Sequence, residues 1–204
     1  MKLSQKIQSM AVFIEFLAGS GLAIFFHLVL HNEMASYLVF GIGVLLMGDS
    51  GVGKSEAALA LVERNHRLVA DDLVEIRRVG GNILMGTGTG VSSHHMEIRG
   101  LGIINIQDLF GPTAIVDRKK VEMVIRIEMW NASNEYDRLG LDDIRTDILG
   151  VSLPTVLLPV SPGRNLATIV EVAVRNYLLK SRGLFSAEQL VGRQSRLTEG
   201  RKPE

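Results

Sequence analysis

One short run of residues carries the clearest chemistry in the chain. Gly48-Asp49-Ser50-Gly51-Val52-Gly53-Lys54-Ser55 matches G-x-x-x-x-G-K-[ST] at every fixed position. Glycines at these places let successive backbone N–H groups turn inward around an anion, and a following helix adds the positive end of its dipole. In such a loop the lysine, here Lys54, reaches the β- and γ-phosphates, and the hydroxyl of Ser55 sits on Mg²⁺. A chance match is on the order of one in a hundred for a chain of ordinary composition. An apolar strand before the run and a helix after it lower that further. The sequence therefore predicts a nucleotide-phosphate site over Gly48–Ser55.

The acids and cations that would complete it lie further along. Asp71-Asp72 is an adjacent carboxylate pair at the end of a short apolar segment. By itself it reads as a solvated strand end. Beside a phosphate loop, one carboxylate can face a metal and the other a hydroxyl proton. His94-His95-Met96-Glu97-Ile98-Arg99 gathers imidazoles, a carboxylate and a guanidinium. Adjacent histidines point in different directions on a regular element, so a shared metal is disfavoured, and Glu97 is the better hard-oxygen ligand for Mg²⁺. Arg138 reads by default as a surface ion-pair residue. Pro162-Gly163-Arg164-Asn165 opens a helix, which makes it an anion-binding position with a guanidinium attached.

Elements must position these groups. Tyr37–Met47 is a nearly continuous apolar run, as expected of one covered central strand entering the phosphate loop. Ser55–Arg64 reads as a helix, Arg67–Ala70 as a short strand, and Leu73–Val79 as extended chain. Gly86-Thr87-Gly88-Thr89-Gly90 lacks any large packing side chain and reads as a mobile loop. Val121–Trp130 alternates and reads as a half-exposed strand. Leu153–Val160 is a further apolar strand. Asn165 caps a helix running to about Arg182 and stopped by Gly183, with Glu171 and Arg175 spaced to pair on its exposed face.

The ends are less ordinary. Ala11–Leu30 has about the length that spans a bilayer, after Lys2 and Lys6. Glu15, His27 and the Gly19-Ser20-Gly21 break favour a buried helix over Lys6–Leu17, a turn, and a strand over Leu22–Leu30. The polar tail from Gly192 is expected to fray. The organisation expected is an atypical apolar segment over 1–30, one catalytic domain over 31–190, and a tail over 191–204.

Composition narrows the class. The 22 Lys+Arg and 22 Asp+Glu cancel, so the general basic surface of a nucleic-acid binder is missing. With no cysteine, thiol catalysis and thiolate zinc sites are excluded. A hydrophobic content of 47% with 22% charged residues describes a folded globular chain.

Taken in order, GIGVLLMGDSGVGKSE, RLVADD, MEIRGLGIIN, YDRLG and PVSPGRN resemble the catalytic domain of bacterial HPr kinase/phosphorylase from about Phe40 to Gly183. The phosphate loop is shared by many folds, whereas Glu97–Asn105 is specific. The resemblance implies an α/β fold of the HPr kinase/PEP carboxykinase type, a mixed sheet flanked by helices. It implies a cytoplasmic, homohexameric enzyme of carbon catabolite control. That enzyme would use ATP and Mg²⁺ to phosphorylate a serine of the phosphocarrier HPr, and remove the group with inorganic phosphate to give pyrophosphate. Carried over by position, Gly48, Asp49, Ser50, Gly51, Val52, Gly53, Lys54 and Ser55 bind the phosphates, and Ser55 and Glu97 hold the metal. Asp72 exchanges the serine proton with support from Asp71, and Arg138 stabilises transferred charge. Met96–Asn105 would serve both reactions and Pro159–Arg164 the phosphorolysis. The family's histidine before the phosphate-loop strand falls on Glu33 here when counted without a gap. His31, two residues earlier, takes that place only through a bulge. A small-molecule kinase of the same architecture and a nucleotide sensor without turnover are the alternatives, the latter favoured by Glu33.

Overall fold

A computed structural model describes residues 11–15, 25–31, 34–71, 73–90, 93–137, 143–161 and 163–199. Asp72, Arg138, Glu33, Pro162 and the Gly19-Ser20-Gly21 break lie outside them. The fold is mixed α/β, with a central sheet flanked by helices on one side and by a second sheet on the other.

The central sheet takes the order β12-β13-β11-β4-β3-β5, with strands at Arg145–Ile148, Val151–Val160, Met123–Met129, Ile42–Gly48, Met34–Val39 and Arg67–Ala70. Its middle, β13-β11-β4, is parallel, while β12, β3 and β5 run antiparallel to their neighbours. All three parallel strands therefore end on the same edge of the sheet, where open α/β folds bind ligands.

Alternation along these strands builds two cores. Val44 and Leu46 of β4, with Met123, Ile125 and Ile127 of β11, face α1 (Lys54–Glu63) and α3 (Leu166–Ser181). Leu45 and Val124 point the other way. They pack on the second sheet, whose order is β1-β2-β6-β7-β10 (Ala11–Glu15, Phe25–His31, Leu73–Val79, Ile83–Gly88, Arg118–Val121). A small hairpin, β8 (His95–Ile98) with β9 (Gly102–Asn105), leads through the Asn105 cap into α2 (Ile106–Phe110).

Several expectations are corrected. The Tyr37–Met47 run is two antiparallel strands, because Phe40 and Gly41 take positive φ of 48° and 86° and turn the chain between β3 and β4. Ala11–Glu15 is strand rather than helix, paired with β2 from Ala11↔Val29 to Glu15↔Phe25. Its Val-Phe-Ile core favours extended chain. The Gly86–Gly90 stretch begins as strand β7. A Cβ on Gly86 would come 3.3 Å from Val121 Cγ2 and 3.4 Å from Ser36 Oγ, so the glycine permits close approach of the sheets. β11 is a central strand buried on both faces over Met123, Val124 and Ile125, and not half-exposed. α4 (Ser186–Glu199) carries the chain into the expected frayed tail as far as Glu199. Its Ala, Glu, Gln, Leu and Arg content outweighs the ~1 kcal/mol cost of Gly192. Finally, Glu171 pairs with Arg64 and His66, while Arg175 lies over the Phe40 ring instead.

Candidate active site

β4 delivers the chain to the ligand edge of the sheet, and Gly48 is the last residue that pairs with β11. A Cβ there would stand 2.5 Å from the Ile127 carbonyl oxygen and 3.1 Å from Val52 Cγ1, so only glycine lets the loop leave the sheet this closely. Gly51 and Gly53 take φ of 83° and 94°. Gly53 is the N-cap of α1 without a side-chain capping bond. The first N–H groups of the helix are thus left for a ligand rather than claimed by the cap.

Lys54 is buried, and its Nζ donates to the carbonyl oxygens of Gly48 at 2.8 Å and Asp49 at 3.1 Å. These neutral acceptors are weaker partners for an ammonium than a phosphate would be. Above the loop stands β8, and a polar cavity of about 110 Å³ lies between them, lined by Ser50, Lys54, Ser55, Glu56, Glu97 and Arg99. A Cβ on Gly51 would lie 3.4 Å from Arg99 Nη2, so the guanidinium covers the loop directly. Ser55 and Glu97 offer hard oxygens to one space, a donor set that fits Mg²⁺, whose remaining positions are usually filled by water and phosphate oxygens. Gly51, Gly53 and Glu56 also border a larger, mainly apolar cavity of about 520 Å³. Ala57 and Ala60 of α1, Met129 and Val160 at the ends of β11 and β13, and Leu166 of α3 line it. Its size suits a nucleoside.

Asp71 follows the last residue of β5, is buried, and accepts a hydrogen bond from the Tyr37 hydroxyl at 3.2 Å. Backbone pairing sets His31 of β2 opposite Leu73, the second residue after Asp71. Arg164 borders the apolar cavity and donates through Nη1 to the Pro159 carbonyl oxygen at 3.2 Å. Asn165 caps α3 by accepting from the Thr168 N–H at 3.1 Å. His94 and His95 go separate ways: His94 Nε2 lies 3.5 Å from Asp117 Oδ1, and His95 Nδ1 lies 3.0 Å from the Ser93 carbonyl oxygen.

The structure thus brings Gly48–Ser55 and Glu97 together. Sequence reasoning passed over three contributors. Arg99 was legible only as part of a charged motif, Tyr37 was hidden in an apolar run, and the apolar cavity joins segments too far apart to be seen in sequence.

A glycine-rich loop between a central parallel strand and a helix, with a metal-capable carboxylate above it, defines a P-loop nucleotide-binding protein of the α/β class. Comparison with known proteins narrows that class. The HPr Serine kinase C-terminal domain matches residues 28–194, and the chain belongs to that family. It is 55% identical over 163 residues to the HPr kinase/phosphorylase of Treponema pallidum (strain Nichols), covering 79% of this chain and 50% of that protein. It is 51% identical over 168 residues to the HPr kinase/phosphorylase of Prosthecochloris aestuarii, covering 82% and 49%. The chain spans about half the length of these curated relatives. A solved structure of the Hpr(Ser) kinase/phosphatase from Coxiella burnetii superposes with a TM-score of 0.68 at 32% identity, covering 76% of this chain and 98% of that one. Membership of a kinase family implies nucleotide and metal use in general. Among the described residues, no helix is long and apolar enough to cross a membrane.

Proposed function

We propose that this chain is the catalytic domain of an HPr kinase/phosphorylase, using ATP and Mg²⁺ on a serine of HPr and inorganic phosphate in the reverse removal. One observation carries the reading: Lys54, Ser55, Glu97 and Arg99 share a polar cavity that adjoins an apolar, nucleoside-sized one. In the forward direction the serine oxygen bonds to the γ-phosphorus, the bond to the ADP oxygen breaks, and Asp72 takes the serine proton. In the reverse direction a phosphate oxygen bonds to the phosphoserine phosphorus, and the serine oxygen leaves with the proton that Asp72 returns. Pyrophosphate is released.

Lys54, Arg99 and Arg138 offset charge on the transferred group, which is most of what phosphoryl transfer asks of a protein. Bound Mg²⁺, held by Ser55 and Glu97, would neutralise phosphate charge. Asp71, which accepts from the Tyr37 hydroxyl, would support its neighbour Asp72 in this role. The His31↔Leu73 pairing supports His31 as the histidine that tunes Asp72, in place of Glu33. Val160, Ser161, Gly163 and Arg164, from the segment Pro159–Arg164 assigned to phosphorolysis, border the apolar cavity. HPr as protein partner, a homohexamer and a cytoplasmic location belong to the same reading. Glu33 favours a second one, a nucleotide sensor without turnover.

The test is intact-mass analysis of HPr incubated with the protein, Mg²⁺ and ATP, followed by exchange of ATP for phosphate. One added phosphoryl group, later removed with release of pyrophosphate, supports the enzyme. Nucleotide binding with unmodified HPr supports the sensor. Binding can be followed through Trp130, the chain's one tryptophan, which adjoins the cavity residue Met129.

A further inference from the structure

Away from the phosphates, a compact polar cluster joins the two helices that wall the apolar cavity. One wall is α1, through Ala57 and Ala60, and the other is the first turn of α3, through Leu166 and Ala167. Just past the end of α1, Arg64 Nη1 donates to Thr168 Oγ1 at 2.8 Å and to Glu171 Oε2 at 2.9 Å. His66 Nε2 lies 2.9 Å from Glu171 Oε1. Both oxygens of one α3 carboxylate are therefore held by residues that follow α1. The cluster is also braced from the side. His66 is buried, its ring meets Phe40 edge-on with centroids 4.7 Å apart, and Arg175 of α3 stands 4.3 Å from the Phe40 centroid. The tip of the β3–β4 hairpin is thus locked to the same two helices. Burial works to raise the Glu171 carboxyl, but the His66 hydrogen bond and the Arg64 charge outweigh it and hold the group below its ordinary range.

We propose that Arg64, His66 and Glu171 form a clamp that fixes the spacing of α1 and α3 and so sets nucleotide affinity, with Glu171 as a positioning residue that touches no substrate. The inference rests on reading the apolar cavity as the nucleoside site. The physical argument is one of leverage. Leu166 sits against the phosphate loop, with its Cδ1 3.3 Å from where a Gly53 Cβ would be, and Glu171 lies little more than one helical turn further on. Releasing Glu171 frees α3 to move away from α1 where the base and sugar would bind. The phosphate loop and Glu97 are anchored by other contacts, so the chemical step keeps its geometry.

Binding of ADP by calorimetry, with steady-state phosphorylation of HPr, tests this on Glu171→Gln, Arg64→Met and the double variant, each checked by thermal melting. The clamp predicts that either single change raises the ADP Kd and the ATP KM about three- to tenfold while kcat stays within about twofold. The double variant should be little worse than either single one, because the two residues act as a unit. Folded variants with unchanged Kd, a loss confined to kcat, or fully additive effects would each overturn it. A wild-type protein that binds no ADP would instead overturn the nucleotide reading, and the clamp with it.

Discussion

On the helix side of the central sheet, Val44, Leu46, Ile125 and Ile127 pack under α1 and α3, and the candidate site opens from that layer. On the opposite side, Leu45 and Val124 come from the same two strands and pack on Val74, Ile76 and Leu84 of the second sheet. Neighbouring residues of one strand thus serve different layers. The helix layer has to leave space beside its apolar contacts, and it does so with glycines, a left-handed N-cap and a lysine folded onto its own loop. The sheet-on-sheet layer is filled by aliphatic side chains. Activity and stability should therefore separate by face, and substitutions can break or sharpen that division.

The largest effect is expected on the helix side. Lys54→Met should lower phosphoryl transfer to HPr by about a thousandfold, with a melting temperature close to that of the parent protein. A variant that melts early and keeps its activity would break the contrast. On the other face, Leu45→Ala should cost about 2–5 kcal/mol in denaturant unfolding while leaving the ATP KM of the folded protein unchanged. A shift in KM would show that the second core shapes the site. Glu97→Gln should raise the half-saturating Mg²⁺ concentration about tenfold, since one anionic oxygen ligand is lost. Asn165→Ala removes the α3 cap and should cost about 1 kcal/mol in thermal stability, with a small rise in nucleotide Kd.

The smallest effect is the acid limb of stability. The Glu171 carboxyl is held below its ordinary range in the folded chain. The unfolded chain therefore binds its proton first as pH falls, and the contribution of this group is present above the ordinary carboxylate range and lost as pH drops through the lowered value. Glu171→Gln should flatten urea-midpoint curves in that acid window by less than about 1 kcal/mol.

How much of this was legible in sequence depends on how local each signal is. The phosphate loop is written in consecutive residues, and its strand–loop–helix setting follows from local periodicity. The Asn165 cap is equally local, and the structure shows its side chain accepting from Thr168. The errors came where long-range packing decides. A two-residue turn at Phe40-Gly41 hides inside an apolar run, because Phe40 has no composition typical of a turn, and its left-handed φ is held from outside by His66 and Arg175. Gly86 and Gly88 read as loop because their small size, which admits the neighbouring strand, is visible only once the sheets are stacked. Glu171 was paired with Arg175 by helical spacing, yet Arg64 and His66 approach from the segment that follows α1 and win both oxygens. Asp72, legible as half of an adjacent carboxylate pair, and Arg138, marked by the resemblance, lie outside the described residues.

The parallel pairing of β4 with β11, and of β11 with β13, has a consequence for biosynthesis. The phosphate loop leaves the ribosome before Met129, Val160 and Leu166, which close the cavity beside it. A nascent chain would carry a complete phosphate-binding sequence until Leu166 is made, with no chamber to hold a nucleotide. Ligand capture would then mark the end of folding, so arrest before Leu166 should leave chains that cannot be rescued from proteolysis by added nucleotide.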